Sequence, residues 1–156
     1  MTVAYFSGKR RRAAAALGAV SAGLLVLSAC DKPTPVATLT VGSDSVNTEA
    51  SCYGKQLGQA ELSKCLNGKD AKTVKVDVDK TLRFGVDPKI ADAGWLLFVN
   101  GQQAEQAPIK KTYRELPASS FFSEQIGSNG KTTKIAIVSG SGKSTGIWQF
   151  TLEKDS

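Results

Sequence analysis

The chain has 156 residues, of which 20 are basic, 14 are acidic and none is histidine, and its formal net charge is +6. The length is near the usual size of one domain and is enough for a single core. The missing histidine excludes catalytic triads with an imidazole base and zinc sites with histidine ligands.

The first 29 residues have the parts of a bacterial secretory leader. Lys9–Arg12 form a basic cluster, and residues 13–29 carry no charge. This apolar run is shorter than the roughly 20 residues that a membrane-spanning helix needs. The sequence Leu27-Ser28-Ala29-Cys30 closely resembles the lipobox of bacterial lipoprotein signal peptides. The resemblance implies a diacylglyceryl thioether on Cys30 and cleavage before it.

The leader sets the expected domain organisation and location. We expect a lipoprotein signal peptide over residues 1–29, a lipidated tether over 30–35 and one domain over 36–156. Two acyl chains hold a protein stably at a membrane, so Cys30 predicts a lipid anchor on the extracytoplasmic face of the cell membrane. Export by the general or the twin-arginine route stays open. Four of the basic residues and none of the acidic ones lie in residues 1–29, so nucleic-acid binding loses its support.

The two other cysteines predict a structural disulfide. With Cys30 carrying lipid, Cys52 and Cys65 remain in an oxidising compartment, where such a pair is most simply bonded. A redox pair or a metal site fits less well, because the spacing is not Cys-X-X-Cys and no histidine is present. A short helix over Ala60–Leu66, ended by Asn67-Gly68, would carry Cys65 on its apolar face.

Strand patterns dominate the rest of the chain. Val74, Val76 and Val78 alternate with polar residues, and Trp95–Val99 is apolar on both faces, which indicates a central strand covered on both sides. Asn100-Gly101 is a strong hairpin signal. The predicted strands are Val36–Val41, Thr73–Asp79, Thr81–Val86, Trp95–Val99, Gln102–Gln106, Lys110–Arg114, Thr132–Val138 and Gly146–Glu153.

These patterns predict a mainly β fold. We expect an antiparallel immunoglobulin-like β-sandwich of about seven strands with one short disulfide-pinned helix. Trp95 would take the place of the buried strand tryptophan of such folds. Trp148, Phe150 and Leu152 would point inward from the last strand. The cysteines lie too close in sequence to form the bridge between sheets that antibody domains have.

The segment Ser139–Thr145 resembles the phosphate-binding loop of nucleotidases over seven residues. Ile137 stands where the first glycine of such a loop is needed, and a strand pattern follows where a helix should begin. The residues therefore predict a Gly/Ser hairpin loop, and we expect no nucleotide.

The acidic residues give no strong catalytic signal. Asp77 and Asp79 would share the solvent-facing side of one strand, where they indicate a solvated face more than a general acid/base pair or a calcium site. Asp87 and Asp92 are expected in loops. A nucleophile needs an adjacent base, but the lysines next to Ser63 and Ser144 point away from them. We therefore expect no catalytic residue, no cofactor and no metal.

Two surface features are candidates for binding a partner. Phe121 and Phe122 are adjacent on a predicted turn over Ser119–Gln125, so one ring could be exposed to a partner; the alternative is one buried ring and one ring at the sandwich edge. Lys110-Lys111 with Arg114 would form a small basic patch facing anionic envelope polymers.

The chain as a whole resembles small secreted actinobacterial lipoproteins that share a domain of unknown function. The resemblance lies in Leu27–Pro33, in the pair Cys52 and Cys65, and in Gly94-Trp95 with Asn100-Gly101. It implies placement in the cell envelope and no activity. The leading hypothesis is a non-enzymatic binding or interaction module with an unknown envelope protein or polymer as its partner. The alternatives are an envelope hydrolase or transferase using Asp77 and Asp79, and a structural or assembly accessory lipoprotein.

Overall fold

Ten strands, two α-helices and two 3₁₀ turns form the described part of a computed structural model, which covers residues 33–54, 56–68, 71–126, 128–140 and 143–155. The leader and Cys30 lie outside these residues. The strands are β1 Val36–Val41, β2 Asp44–Glu49, β3 Cys52–Tyr53, β4 Lys72–Val76, β5 Thr81–Val86, β6 Trp95–Val99, β7 Gln102–Gln103, β8 Tyr113–Pro117, β9 Thr132–Ser139 and β10 Gly146–Lys154. The helices are α1 Gln59–Leu66 and α2 Pro88–Ala93, and the 3₁₀ turns are Ala118–Phe121 and Glu124–Ile126.

The strands pair into two sheets. The first sheet has the order β2-β1-β5-β8, and all of its pairs are antiparallel. The second sheet has the order β3-β10-β9-β6-β7, and β4 also pairs with β10 beside β3. The β4–β10 pair is parallel, so the expectation of a purely antiparallel fold is wrong at this position.

One core joins the inner faces of both sheets. The strand predicted over Thr81–Val86 is confirmed as β5, and Trp148, Phe150 and Leu152 of β10 are fully buried as expected. Residues from β1, β4, β5, β6, β9 and β10 meet in this cluster. Burial of these apolar side chains is the main stabilising contribution to the fold.

A second, smaller apolar cluster covers the opposite face of the second sheet. Helix α1 packs Leu62, Cys65 and Leu66 there against β6, β9 and β10, and Phe98 of β6 joins them. Strand β6 is therefore covered on both faces, as its sequence predicted, although Leu96 and Phe98 are half-buried.

The predicted disulfide is confirmed. It joins Cys52 of β3 to Cys65 of α1, with the two Cα atoms 6.2 Å apart. The helix itself begins where Glu61 Oε2 accepts the Gly58 N–H at 3.1 Å, and it ends at Asn67 as predicted. Among the described residues, neither helix is long and apolar enough to cross a membrane.

Several predicted boundaries differ from the structure. Strand β4 ends at Val76, because Asp77–Lys80 form a turn. Strand β7 has two residues where five were expected, and β8 begins three residues later than the predicted Lys110–Arg114. Pro35, expected in the tether, is buried and accepts a hydrogen bond from Trp148 Nε1 at 2.8 Å.

Two strands and one helix were not predicted. The two strands are one reason why the expected count of about seven strands was too low. Strand β2 is polar, and it forms because Gly42, with φ +60°, turns the chain back along β1. Strand β3 has two residues. Helix α2 begins at Pro88 after Asp87, so Asp92 lies on a helix and not in a loop.

Candidate functional site: the crossing-loop groove

Residues 104–112 connect β7 of the second sheet to β8 of the first, and we call this segment the crossing loop. It is bonded to both sheets. Ile109 exchanges backbone hydrogen bonds with Trp95 of β6 at 2.8 and 3.0 Å, and Thr112 O accepts the Val86 N–H of β5 at 2.8 Å. The indole Nε1 of Trp95 donates to Lys111 O at 2.8 Å. These bonds hold the loop in a defined position relative to both sheets.

A groove of about 700 Å³ lies between the crossing loop and the first residues of β8. Its walls are Glu105–Lys111 on the loop side and Tyr113–Glu115 on the strand side. The volume lies within the range of about 300–1,000 Å³ that is typical of ligand sites. Since both walls are fixed by backbone hydrogen bonds, the groove exists without a ligand.

The charges around the groove are unequally compensated. Arg114 Nη2 pairs with Glu105 Oε1 at 2.9 Å, and Arg83 Nε pairs with Glu115 Oε1 at 2.8 Å. Lys110 and Lys111 are exposed, and in the described residues neither forms an ion pair. The uncompensated positive charge of the groove therefore comes from the two lysines. Arg114, which the sequence grouped with them, is already neutralised by Glu105.

Tyr113 adds an exposed aromatic ring to the groove. Its side chain is 61% exposed, and its cross-strand neighbour on β5 is Gly85, which offers no side chain to cover the ring. Sequence reasoning gave Tyr113 no role. The exposure of the Tyr113 ring follows from its position opposite a glycine, and that position is known only once the β5–β8 register is known.

The aromatic pair proposed from the sequence has a packing role. Phe121 is 3% exposed, and its ring centroid lies 5.7 Å from that of Phe84 in the main core. Phe122 is half-buried and packs against the same core. The burial of Phe121 agrees with the buried ring of the alternative. Partner binding through Phe122 stays a prediction.

The two acidic residues Asp77 and Asp79 occupy the turn after β4, so their expected position on one strand is wrong. Asp77 Oδ1 accepts the Asp79 N–H at 3.0 Å, and both side chains are exposed. Neither lines the groove. The Asp77 carboxylate thus stabilises the turn through this hydrogen bond. Asp87 has a similar structural role, since its Oδ2 accepts the Val36 N–H at 2.8 Å.

The Gly/Ser-rich segment between β9 and β10 is a hairpin connection, as the sequence predicted. Thr145 N donates to Ser139 O at 2.8 Å, and β10 follows as a strand. Ser141 and Gly142 lie outside the described residues. The absence of nucleotide binding stays a prediction.

A second, smaller cavity of about 180 Å³ lies beside the end of α1, and the sequence did not indicate it. Gln149 of β10 is buried there, and its Nε2 donates to Cys65 O and Leu66 O at 2.9 Å each. Its Oε1 has no hydrogen-bond partner in the described part of the chain. Because both donors serve the last carbonyls of α1, Gln149 acts mainly as a cap for the helix.

The crossing-loop groove is the stronger candidate, since it combines an open concavity with two exposed lysines and an exposed aromatic ring. These features come from one loop and one edge strand. Comparison of the chain with protein families, with curated proteins and with solved structures finds no match.

Proposed function

We propose that this chain is a lipid-anchored, non-enzymatic binding module on the extracytoplasmic face of the cell membrane. In this proposal the crossing-loop groove holds an anionic protein or polymer of the envelope. The observation that carries the proposal is the exposed pair Lys110 and Lys111, which forms no ion pair within the described residues, in a groove with the exposed ring of Tyr113.

The chemistry of the groove favours an anionic ligand. A ligand carboxylate or phosphate would meet the two lysines without breaking an existing ion pair. Exposed ion pairs contribute about 0.2–1 kcal/mol each, so the affinity would depend on several contacts and on the ionic strength. Tyr113 would add apolar contact area with one polar tip, a combination that is enriched at recognition surfaces. The fixed walls of the groove reduce the entropy that is lost on binding.

The location rests on the leader and on the disulfide. The leader supports lipidation of Cys30 and attachment to the membrane. The Cys52–Cys65 disulfide supports an oxidising compartment, because such bonds are rare in the cytosol. Both observations agree with the resemblance to small actinobacterial lipoproteins, which we keep as a proposal.

We also propose that the sandwich is immunoglobulin-like. The support is its two sheets with a shared core and the fully buried Trp95 on β6. Two features depart from that fold: the parallel β4–β10 pair, and a disulfide that joins a strand to a helix instead of joining the two sheets.

Charge reversal in the groove tests the binding proposal. The full-length protein in detergent should bind two fluorescent anionic probes, poly(glycerol phosphate) and a peptide that alternates glutamate and threonine, with an affinity that falls as salt is added. The double variant Lys110→Glu, Lys111→Glu should weaken binding about tenfold, as fluorescence anisotropy would measure.

The matched control is Lys131→Glu with Lys154→Glu. These two lysines are exposed, lie outside the groove and give the same change in net charge. We expect the control to bind like the wild type. Equal weakening by both double variants would refute the groove as the binding site and indicate a non-specific effect of net charge. If the wild type binds neither of the two probes, the binding proposal itself is refuted.

Removal of the lipid attachment site tests the location. Cys30→Ser should leave the leader uncut at this position and shift the protein out of the lipid-modified pool, because serine cannot form the thioether. Intact mass measurement of the membrane fraction should show a diacylated wild type and an unmodified variant. A wild-type mass that matches the full 156-residue chain without lipid would contradict the proposal.

A further inference from the structure

Strand β8 is an edge of the first sheet and pairs with β5 on one side. Two hydrogen bonds show which residues face β5. Val86 N donates to Thr112 O at one end of the pairing, and Ala118 N donates to Lys80 O at the other. Since the backbone groups of an antiparallel pair alternate in direction, the even-numbered residues between them point to β5. Tyr113 and Glu115 therefore direct their N–H and C=O groups to the open side.

These outward groups are unused. In the part of the chain that the structure describes, no hydrogen bond involves the backbone N–H or C=O of Tyr113 or Glu115. Pro117, which has no N–H, ends the open edge. The edge thus offers two donors and two acceptors in the spacing of a strand, which is the pattern that an added strand completes.

The open edge and the groove are the same place, since Tyr113 and Glu115 line both. Lys110 and Lys111 on the opposite wall carry the uncompensated charge described above. The other edge strand of this sheet, β2, has the opposite character, because it carries Asp44 and Glu49 and no basic residue. The charge therefore distinguishes the two edges and selects an acidic occupant for β8.

We infer that an extended acidic peptide segment of an envelope partner binds as an added strand along β8. Its backbone would pair with Tyr113 and Glu115, and its carboxylates would face Lys110 and Lys111. The inference rests on the proposed function and specifies its ligand: main-chain pairing gives a peptide an advantage over a phosphate polymer, which has no amide groups to complete the edge.

A proline at Glu115 tests the inference. Glu115→Pro removes an outward N–H that β5 does not use, and an edge position of this kind tolerates proline. The matched control is Glu115→Ala, which also loses the ion pair with Arg83 but keeps the N–H. With the alternating glutamate–threonine peptide as the probe, we expect Glu115→Pro to bind about tenfold more weakly than Glu115→Ala, because the two variants share the same change of charge and differ in the outward N–H. Both variants should unfold at similar denaturant concentrations.

Residue-resolved hydrogen exchange gives an independent readout. The bound peptide should slow exchange of the Tyr113 and Glu115 amides and leave those of Arg114 and Leu116 unchanged. The inference is overturned by equal peptide binding of the two Glu115 variants, or by edge protection that arises from self-association without peptide. It also fails if poly(glycerol phosphate) binds better than the peptide and the proline has no effect. In that last case the lysine reversal would still weaken binding, so the proposed function would survive while the peptide inference would not.

Discussion

Replacing Trp95 with alanine is expected to lower the free energy of unfolding by about 3–5 kcal/mol, the usual cost of removing a large aromatic side chain from a core. Trp95 is fully buried in the main core, and removing its indole ring would leave a cavity among the strands that pack around it. Urea unfolding of the full-length protein in detergent, followed by circular dichroism, would measure the change. A loss below about 1 kcal/mol would contradict the assignment of Trp95 to the centre of the core.

A milder change separates the packing of Trp95 from its hydrogen bond. Trp95→Phe keeps an aromatic ring in the core but leaves Lys111 O without its donor, so we expect a loss of about 1–2 kcal/mol. The amide of Ile109 should also exchange faster, because the crossing loop loses one of its anchors. Trp148→Phe is the control, since it removes a similar indole bond whose acceptor, Pro35 O, does not belong to the crossing loop. Equal acceleration at Ile109 in both variants would show that the indole bond does not hold the loop.

The elements that the sequence predicts well are those whose pattern is local. Alternating apolar residues identify β4 and β5, and Asn100-Gly101 identifies its hairpin because both residues adopt positive φ, 50° and 82°. The disulfide follows from cysteine count and compartment. For the strands and the hairpin, the physical cause lies within a few residues of the pattern.

The elements that the sequence misses depend on hydrogen-bond partners that the pattern of apolar residues does not reveal. Strand β2 has no apolar alternation, and it is a strand because β1 supplies its hydrogen bonds. The parallel β4–β10 pair joins segments that are far apart in the chain, and no local pattern specifies their direction. Asp77 and Asp79 lie in a turn and not in a strand, because the Asp77 carboxylate accepts a hydrogen bond from the Asp79 N–H.

The candidate site shows the same division. The lysine pair at 110 and 111 is visible in the sequence as a basic patch. The sequence does not show that Arg114 forms an ion pair with Glu105, because that contact exists only in the folded loop. The ion pair leaves the two lysines as the charged residues of the patch. The groove itself requires the crossing loop to be bonded to both sheets, which depends on Trp95, and the open edge of β8 requires the β5–β8 register.

Removing the disulfide should lower the free energy of unfolding by about 3 kcal/mol in the double variant Cys52→Ala, Cys65→Ala. The bond closes a short loop, with a sequence separation of 13, and restricts the unfolded chain by that amount in the loop-entropy account. Both cysteines are changed together so that no free thiol remains. Urea unfolding of the wild type and the variant, with Cys30 intact in both, would measure the difference.

A reductant provides the control, because it should destabilise the wild type by a similar amount and leave the double variant unchanged. The bond also ties α1 to β3, and the helix is only eight residues long, too short to be stable alone in water. We therefore expect the amides of α1 to exchange faster in the variant while those of β9 and β10, which belong to the main core as well, remain protected. Uniform acceleration through the whole domain would mean that α1 and its apolar cluster are part of the same cooperative unit as the sandwich, and that the disulfide stabilises the fold as a whole.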